Sequence, residues 1–261
     1  MTVAAIIQAR FNSSRLPGKV LETIGDKPAL LWCLDRCRDI PGVDSVVCAV
    51  PEGRADDCVA DLAAEAGYFV TRGSEEDVLA RYAKAAREIE AKTVLRITSD
   101  CQLPDPQIAG QVLALLDSSD VDYAANNMPP MFPHGLDCEA FSAELLYAAD
   151  DQAYLSYDRE HVTPFLRNHP GLSRANLRGP GGGLEKMRWT LDHPEDLAFF
   201  RALYDGFGSK MATANAAELV AFCLRRPDLA QINQCHIDQN RLSTGGGASL
   251  QTAPVRLSSA A

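Results

Sequence analysis

Short apolar runs alternate with helical patterns over the first half of the chain, and this alternation limits the possible fold more than any other feature. The apolar runs are VAAIIQ (3–8), SVVCAV (45–50), YFV (68–70), TVLRIT (93–98) and VDYAA (121–125). Helical patterns fill the intervals near 28–38, 54–66, 75–90 and 105–117. Strands joined through helices of this length pair in parallel through right-handed crossovers. The sequence therefore predicts an α/β fold with a mostly parallel sheet.

The alternation stops near residue 126, where the turn-rich stretch NNMPPMFPHG begins. LDCEAFS then predicts a strand and REHVTPFLRN a helix, and we interpret residues 126–178 as an insertion or small lobe within one domain spanning residues 1–242. A strand around MRWTL and helices near 194–205 and 215–226 follow. Residues 243–261 are small, polar and aperiodic, so we expect a disordered tail.

The balance of charge narrows the choice of ligand. The formal net charge is −10 at pH 7, which argues against a broad basic face for a nucleic acid polymer. A local cluster of cations would have to bind any anion, and this favours a small anionic ligand. The amino terminus lacks the features of a signal peptide, and no apolar run reaches the roughly 18 residues that span a bilayer. We therefore expect a cytoplasmic protein without a membrane partner.

Three cations lie in the loop that follows the first predicted strand. Arg10, Arg15 and Lys19 fall within ARFNSSRLPGKV, at the carboxyl end of a strand, where open α/β sheets bind their ligands. Turn amides combined with Arg and Lys side chains suit a polyphosphate. The loop matches neither a Walker A motif nor a G-x-G-x-x-G fingerprint. On spacing alone, a solvated basic loop closed by a Pro-Gly turn is an equal alternative.

Two aspartates follow predicted strands at the same edge of the sheet. Asp100 comes after TVLRIT, and Asp192 after MRWTL. Carboxylates there could hold Mg²⁺, whose shell is usually completed by substrate phosphates and water. Without a cation two such carboxylates would repel each other, so loss of either charge should not destabilise the fold. A structural alternative exists for each aspartate, because Asp100 could cap a turn and Asp192 could cap the helix that begins at Pro194. Asp105, before Pro106, is predicted to be a helix N-cap and not a ligand.

These stretches occur in the same order in a known family. IIQARFNSSRLPGKVL, RGSEEDVLARY, LRITSDCQLPDP, HGLDCEAFS, REHVTPF and WTLDHPEDLAFF resemble the motifs of the cytidylyltransferases that make CMP-activated acidic sugars, most closely the spore-coat polysaccharide type. The resemblance covers roughly residues 3–205. It implies a Rossmann-like sheet of the nucleotide-diphospho-sugar transferase type, CTP and a sugar-acid acceptor as substrates, and Mg²⁺. It also implies a homodimer built through the mid-chain insertion.

The resemblance assigns roles to the loop cations and the two aspartates. Arg10, Arg15 and Lys19 match the phosphate-binding loop, Asp100 the metal aspartate and Asp192 a late acidic position that can complete the metal site. The residues placed beside the nucleotide are Ala9, Arg10, Ser74, Asp77 and Arg81. For the last three a structural alternative stays open, because Ser74 with Asp77 resembles a helix capping box and Arg81 could pair with Asp77.

A third group of residues is assigned to the acceptor by the same resemblance. Its members are Gly135, Asp137, Glu139, Arg159 and His161. Asp137 and Glu139 alternate onto one face of the predicted strand, while Gly135 alone also suits a turn. Arg159 and His161, together with Glu160, could instead form an ion network at a helix end. Ser99 departs from relatives that often carry Gly at that position, and its side chain would narrow the crevice beside the nucleotide.

The reaction implied is attack of an acceptor oxygen on the α-phosphorus of CTP, with pyrophosphate as the leaving group. Such chemistry depends on positioning and charge stabilisation more than on a covalent nucleophile. Two alternatives stay open. A metal-dependent glycosyltransferase normally carries Asp-x-Asp directly after a strand, whereas the triplet at Asp120 precedes or enters one. A non-catalytic nucleotide-binding homologue would be expected to have lost the loop cations or Asp100.

Overall fold

The computed structural model describes residues 2–243, so residue 1 and residues 244–261 lie outside the described part. The strands, numbered in chain order, are β1 (Val3–Gln8), β2 (Thr23–Ile24), β3 (Lys27–Pro28), β4 (Ser45–Pro51), β5 (Phe69–Gly73), β6 (Thr93–Thr98), β7 (Tyr123–Ala125), β8 (Glu139–Ser142) and β9 (Arg174–Asn176). The helices are α1 (Ala29–Arg38), α2 (Asp57–Glu65), α3 (Val78–Glu88), α4 (Pro106–Ser118), α5 (Ala143–Gln152), α6 (Ser156–His161), α7 (Pro164–Asn168), α8 (Pro194–Phe207), α9 (Ala216–Arg225), α10 (Pro227–Asn233) and α11 (Gln239–Ser243). Of the predicted disordered tail, Ser243 ends α11 and the remainder is outside the described residues.

Seven strands form one sheet in the order β5-β4-β1-β6-β8-β7-β9, and β2 pairs with β3 in a separate ribbon. Parallel pairing joins β5, β4, β1 and β6, while β8 runs antiparallel to both β6 and β7. Gln8 at the end of β1 is in register with Thr98 at the end of β6. The carboxyl ends of these two strands therefore lie side by side, and the predicted mostly parallel α/β sheet is confirmed.

Strand β1 is almost entirely apolar because both faces of the sheet are covered. Alternate residues enter two separate cores, with Ile7 packed in the core that includes Leu34 of α1 and Ile6 in the core that includes Tyr82 of α3. A third core surrounds Trp189 and joins the carboxyl-terminal helices to the rest of the chain. These three cores hold the ends of β1 and β6 in place. In the described part of the chain, no helix has both the length and the apolar character needed to cross a bilayer.

The predicted strand around MRWTL does not form. Arg188 and Thr190 make only isolated bridges, one to His134 and the other to Cys101. Since the segment pairs with two different loops rather than along one neighbouring strand, no continuous ladder develops. Asp192 therefore follows an extended connection and not the end of a strand.

The predicted helix REHVTPFLRN is two short helices, α6 and α7. Val162 separates them with a φ of 70°, and Pro164 occupies the first turn of α7. Proline has no N–H group and restricts the residue before it, so α6 cannot continue through this position. The break turns the chain between α6 and α7 beside the sheet.

Residues 126–178, which we interpret as an insertion or small lobe, add β8 and β9 to the main sheet. Phe141 of β8, Leu146 of α5 and Leu166 of α7 pack in the same core as Ile6. The segment thus shares a core with the central strand, and its assignment as a dimerisation and acceptor lobe stays a prediction.

Candidate active site

A cleft of about 850 Å³ opens at the carboxyl ends of β1 and β6. The loop after β1, the start of α3, the turn after β6, helix α6 and the connection before α8 contribute its walls. The predicted site residues that line it are Ala9, Arg10, Arg15, Lys19, Asp77, Arg81, Asp100, Arg159, His161 and Asp192. The fold thus brings together side chains that are as far apart in sequence as Ala9 and Asp192.

The loop after β1 is folded back on itself. Gly18 adopts a φ of 73°, which glycine tolerates without steric cost, and its N–H donates to the Phe11 carbonyl at 2.8 Å. The Phe11 N–H in turn donates to Asp56 Oδ1 at 2.6 Å. These bonds hold Lys19 inward, with only 11% of its side chain exposed. The loop is therefore folded and covers Lys19, whereas Arg10 and Arg15 are exposed to solvent, as the alternative of a basic loop predicts for them.

Asp192 binds two of the three loop cations. Lys19 Nζ donates to Asp192 Oδ1 at 2.8 Å and to the Leu191 carbonyl at 2.7 Å, while Arg15 Nη2 lies 2.7 Å from Asp192 Oδ2. Burial would raise the pKa of Asp192, but Lys19 and Arg15 outweigh it and hold the pKa well below its usual value. Repulsion between Asp192 and Asp100 was predicted for carboxylates without a cation, and Lys19 and Arg15 supply that cation to Asp192.

Asp192 also does not cap α8. His193 is the N-cap, and Asp196 in the first turn closes a capping box, since its Oδ2 accepts from the N–H groups of Asp192 at 3.0 Å and His193 at 2.9 Å. Pro194 occupies the first turn of α8, as its position in the sequence predicts. The carboxylate of Asp192 is thereby left to face the cleft. The predicted helix cap at Asp105 is confirmed, because its Oδ1 accepts from two N–H groups of α4.

Asp100 lies next to this cluster, because the Leu191 N–H donates to the Asp100 carbonyl at 2.9 Å. Its half-buried side chain lines the cleft and makes a long contact with Cys101 Sγ at 3.9 Å. Carboxylate oxygens are the ligands that Mg²⁺ prefers. Asp100 therefore fits a divalent cation directly, whereas Asp192 fits one only while sharing its oxygens with Lys19 and Arg15.

The start of α3 forms the opposite wall. Asp77 is its N-cap and accepts from Ala80 N at 3.0 Å, while Ser74 Oγ accepts from Asp77 N at 3.0 Å. Ser74 and Asp77 thus initiate the helix, with Asp77 rather than Ser74 at the cap position. Arg81 does not pair with Asp77, which binds Arg159 instead.

Arg81 is almost fully buried. It donates through Nη1 to the Ser74 carbonyl, and its Nε has no hydrogen-bond partner among the described residues. Burial lowers the pKa of Arg81, and the neighbouring charge of Arg10 adds to this effect. A buried guanidinium with a free N–H beside a cleft is a group that a ligand oxygen could satisfy.

Arg159 of α6 forms an ion network, but with Asp77 and Asp150 and not with the predicted members Glu160 and His161. Its Nη2 lies 2.6 Å from Asp77 Oδ2 and 2.8 Å from Asp150 Oδ1. His161 packs edge-on against Tyr157, with ring centroids 4.4 Å apart. Arg159 and His161 also line the cleft, so these contacts fix one of its walls.

Asp137 and Glu139 face a separate cavity of about 160 Å³ that adjoins Asp100. Glu139 is buried and binds Arg96 Nη1 at 2.5 Å and Arg167 Nη2 at 2.6 Å. Burial would raise the pKa of Glu139, but Arg167 and Arg96 lower it to about 2. Asp137 binds Arg241 Nη2 at 2.6 Å. Both carboxylates are neutralised by arginines, so their predicted contact with an acceptor is not supported.

Gly135 has a conformational reason to be glycine. Its φ is 112°, and a Cβ atom there would lie 2.0 Å from the Trp189 carbonyl oxygen. This close approach of two backbone segments explains the residue without a substrate contact.

Several polar groups around the site are absent from the sequence-based prediction. Arg96 lines both the cleft and the smaller cavity. Gln8 Oε1, Arg96 Nε and Thr190 Oγ1 are buried with no hydrogen-bond partner among residues 2–243. For Arg96 a signal existed, since an arginine within the apolar strand TVLRIT is unusual. Gln8 and Thr190 carry no such signal.

Comparison with known proteins identifies the family of the chain. The sequence model of the cytidylyltransferase family matches residues 4–216. The spore coat polysaccharide biosynthesis protein SpsF of Bacillus subtilis (strain 168) is 34% identical over 234 residues, which are 86% of this chain and 95% of SpsF. A 3-deoxy-manno-octulosonate cytidylyltransferase of Anaeromyxobacter sp. (strain K) is 27% identical over 228 residues, or 79% of this chain and 91% of that enzyme.

A solved structure shows the same fold. The structure of a cytidylyltransferase from Leptospira borgpetersenii matches with a TM-score of 0.82 at 29% identity, covering 88% of this chain and 97% of that chain. The expected nucleotidyltransferase fold is therefore confirmed. Because the family match extends over most of the sequence and SpsF is similar over nearly its whole length, this chain belongs to the cytidylyltransferase family and is a CTP-dependent nucleotidyltransferase.

Proposed function

We propose that this enzyme transfers CMP from CTP to a sugar acid and releases pyrophosphate. The observation that carries the proposal is the meeting of Arg10, Arg15, Lys19 and Asp100 in one cleft at the carboxyl ends of β1 and β6. An acceptor oxygen would form a bond to the α-phosphorus while the bond from that phosphorus to the bridging oxygen of pyrophosphate breaks. The loop cations would neutralise the departing phosphates.

The divalent cation implied by the resemblance would be held by Asp100, with Asp192 as the second carboxylate. When bound, Mg²⁺ supplies positive charge at the phosphate oxygens of the nucleotide. Lys19 and Arg15 keep Asp192 ionised and fixed in position. A phosphate that approaches Lys19 and Arg15 competes with Asp192 for these two cations. We therefore expect phosphate binding to depend on whether another cation balances the charge of Asp192.

The polar groups near Asp100 support a sugar-acid acceptor. Arg96 and Arg167, which share the carboxylate of Glu139, present guanidinium groups to the smaller cavity, which Asp100 and Asp137 also line. Thr190 Oγ1, buried in the wall of the same cavity, can bond to an acceptor hydroxyl. A relative is named for cytidylyl transfer to 3-deoxy-manno-octulosonate, a sugar acid. We therefore expect the acceptor to carry a carboxylate and several hydroxyls.

The test is incubation of the enzyme with CTP, Mg²⁺ and a panel of sugar acids that includes 3-deoxy-manno-octulosonate, with pyrophosphate release as the readout. Release should require both CTP and an acceptor, and Asp100→Asn should nearly abolish it. Asp228→Asn is the matched control, because Asp228 pairs with Arg226 on the surface. Sugar transfer from a nucleotide sugar would favour the glycosyltransferase alternative. CTP binding without release with any acceptor would favour a non-catalytic homologue.

We also propose that the enzyme is a homodimer built through residues 126–178. Tyr154 is 85% exposed, and Leu155 and Tyr157 beside it are also exposed. Large apolar side chains grouped on a surface are typical of interaction sites. Sedimentation analysis should give a dimer for the wild type and a monomer after Tyr154→Ser combined with Leu155→Ser. A monomeric wild type would refute this part of the proposal.

A further inference from the structure

A cluster of metal-ligating side chains lies at the amino end of α8, outside the residues that line the cleft. His193 is the N-cap of α8, Glu195 lies in its first turn, and His236 comes from the 3₁₀ turn Gln234–His236. The cluster therefore joins two segments that are about 40 residues apart. His236 lies beyond residues 4–216, the part of the chain that the family model matches.

The three side chains are close enough to share one ion. Their ligand atoms all lie within 4.8 Å of one another. The imidazole rings of His193 and His236 stack in parallel, with centroids 3.8 Å apart and planes 3° from parallel. His236 Nε2 and Glu195 Oε2 are 3.0 Å apart. Ligands of a tetrahedral zinc ion at 2.0–2.1 Å are about 3.4 Å from one another. Because the lone pair of an imidazole nitrogen lies in the ring plane, at least one ring must rotate out of the parallel stack before both nitrogens can bind one ion.

The backbone around the cluster is already held in place. His193 N donates to Asp196 Oδ2 at 2.9 Å, and Arg188 Nη1 donates to the His236 carbonyl at 2.8 Å. Arg188 itself pairs with Asp196 at 2.7 Å, so its positive charge is balanced and does not oppose a bound cation. The side chains of His236 and Glu195 are 24% and 48% exposed, which leaves a path from solvent.

We propose that His193, Glu195 and His236 form a site for one Zn²⁺ or Co²⁺ ion, separate from the divalent cation of the active-site cleft. Two imidazoles and one carboxylate are ligands that suit zinc and its neighbours rather than Mg²⁺. Three protein ligands leave an open coordination position for water. A bound ion would link the start of α8 to the carboxyl-terminal segment and stabilise the fold by mass action.

The experiment is a titration of the full-length, untagged protein, freed of metal with a chelator and kept reduced, with Co²⁺ alone. Visible absorption of protein-bound Co²⁺ should saturate at one ion per chain, and Zn²⁺ should displace it. His236→Ala and Glu195→Gln should each weaken Co²⁺ binding at least tenfold. Zn²⁺ should raise the melting temperature of the wild type but not of these variants. Glu195→Gln alters an exposed side chain, so it tests the site even if His236→Ala folds poorly.

Three controls separate this site from other ligands. His161→Ala, at another exposed histidine, and Asp100→Asn, at the cleft, should leave Co²⁺ binding unchanged. Cys235→Ser removes the exposed thiol next to His236, and it should also leave binding unchanged. A wild type that binds no Co²⁺, binding that survives both His236→Ala and Glu195→Gln, or a thiolate-to-cobalt band lost in Cys235→Ser would each overturn the proposal.

Discussion

Asp192→Asn should lower both activity and stability, because Asp192 bonds two cations of the loop after β1. Asparagine keeps the size of the side chain but loses the charge that Lys19 Nζ at 2.8 Å and Arg15 Nη2 at 2.7 Å bind. Hydrogen bonds to charged groups contribute about 1.5–3 kcal/mol each. The Arg15 side chain is 54% exposed, and exposed pairs contribute about 0–1 kcal/mol. We therefore expect a loss of about 1–2 kcal/mol, the effect of weakening one buried and one exposed contact.

For a chain of this size such a loss lowers the melting temperature by about 2–8 °C. Thermal unfolding without nucleotide measures it, and pyrophosphate release measures turnover, which should fall at least about tenfold, or about 1.4 kcal/mol at the transition state. Asp100→Asn should abolish turnover almost completely with an unchanged melting temperature, since no cation of the loop is bonded to Asp100 in the described structure. Asp228→Asn should change neither. Equal melting temperatures for Asp192→Asn and wild type, or a lower one for Asp100→Asn, would refute the assigned contacts.

Four further variants, one of them with a matched control, test other contacts. Lys19→Ala and Arg15→Ala should each reduce turnover at least about tenfold. Only Lys19→Ala should also lower the melting temperature, because the Lys19 side chain is the buried one, and equal melting temperatures for the two variants would contradict this. Glu139→Gln leaves Arg96 and Arg167 without their carboxylate and should cost about 3–5 kcal/mol in the free energy of unfolding. Because the pKa of Glu139 is lowered from 4.5 to about 2, the ionised carboxylate stabilises the fold fully above about pH 4.5, and this stabilisation is lost as the pH falls towards 2. The free energy of unfolding, measured over this acid range, should show the loss in the wild type and a weaker one in the variant. Gly135→Ala should lower the melting temperature far more than Gly53→Ala, whose Cβ would meet only ordinary contacts.

Periodicity predicted the central sheet well because burial on both faces imposes a simple pattern. Strands β1 and β6 have the bounds that their apolar runs predict, since every residue from Ala4 to Ile7 must avoid polar contacts in a covered sheet. The segment MRWTL is also mainly apolar, although it contains Arg188 and Thr190, but it forms no strand. Its burial comes from the core around Trp189, and an apolar run alone does not distinguish burial in a core from pairing in a sheet.

Helix α5 is missing from the sequence-based prediction although a signal was present. Ser142 is its N-cap, with Oγ accepting from Leu145 N at 3.2 Å. The predicted strand LDCEAFS ends at this serine. Because the N-cap follows the strand directly, no connecting turn marks where the strand ends and the helix begins. The break at Val162 is different, because a φ of 70° at a β-branched residue contradicts local preference and depends on tertiary contacts.

The sequence predicted which residues form the site better than it predicted how their charges are paired, and the reason is physical. Strand ends identify Arg15, Lys19 and Asp100 as residues that reach the cleft, since topology carries them to the same edge of the sheet. Asp192 reaches the cleft from an extended connection. Whether a carboxylate is free or paired depends on side-chain distances of about 3 Å across 173 residues of sequence. Asp192 therefore carries its own countercharges, which the sequence did not reveal. Lys19 and Arg15 can bind either this carboxylate or a phosphate, so the charge on Asp192 sets how strongly the loop binds the nucleotide. In the absence of Mg²⁺, Asp192→Asn should therefore bind CTP more tightly than the wild type, even though the variant turns over more slowly. Weaker CTP binding by this variant under metal-free conditions would contradict that competition.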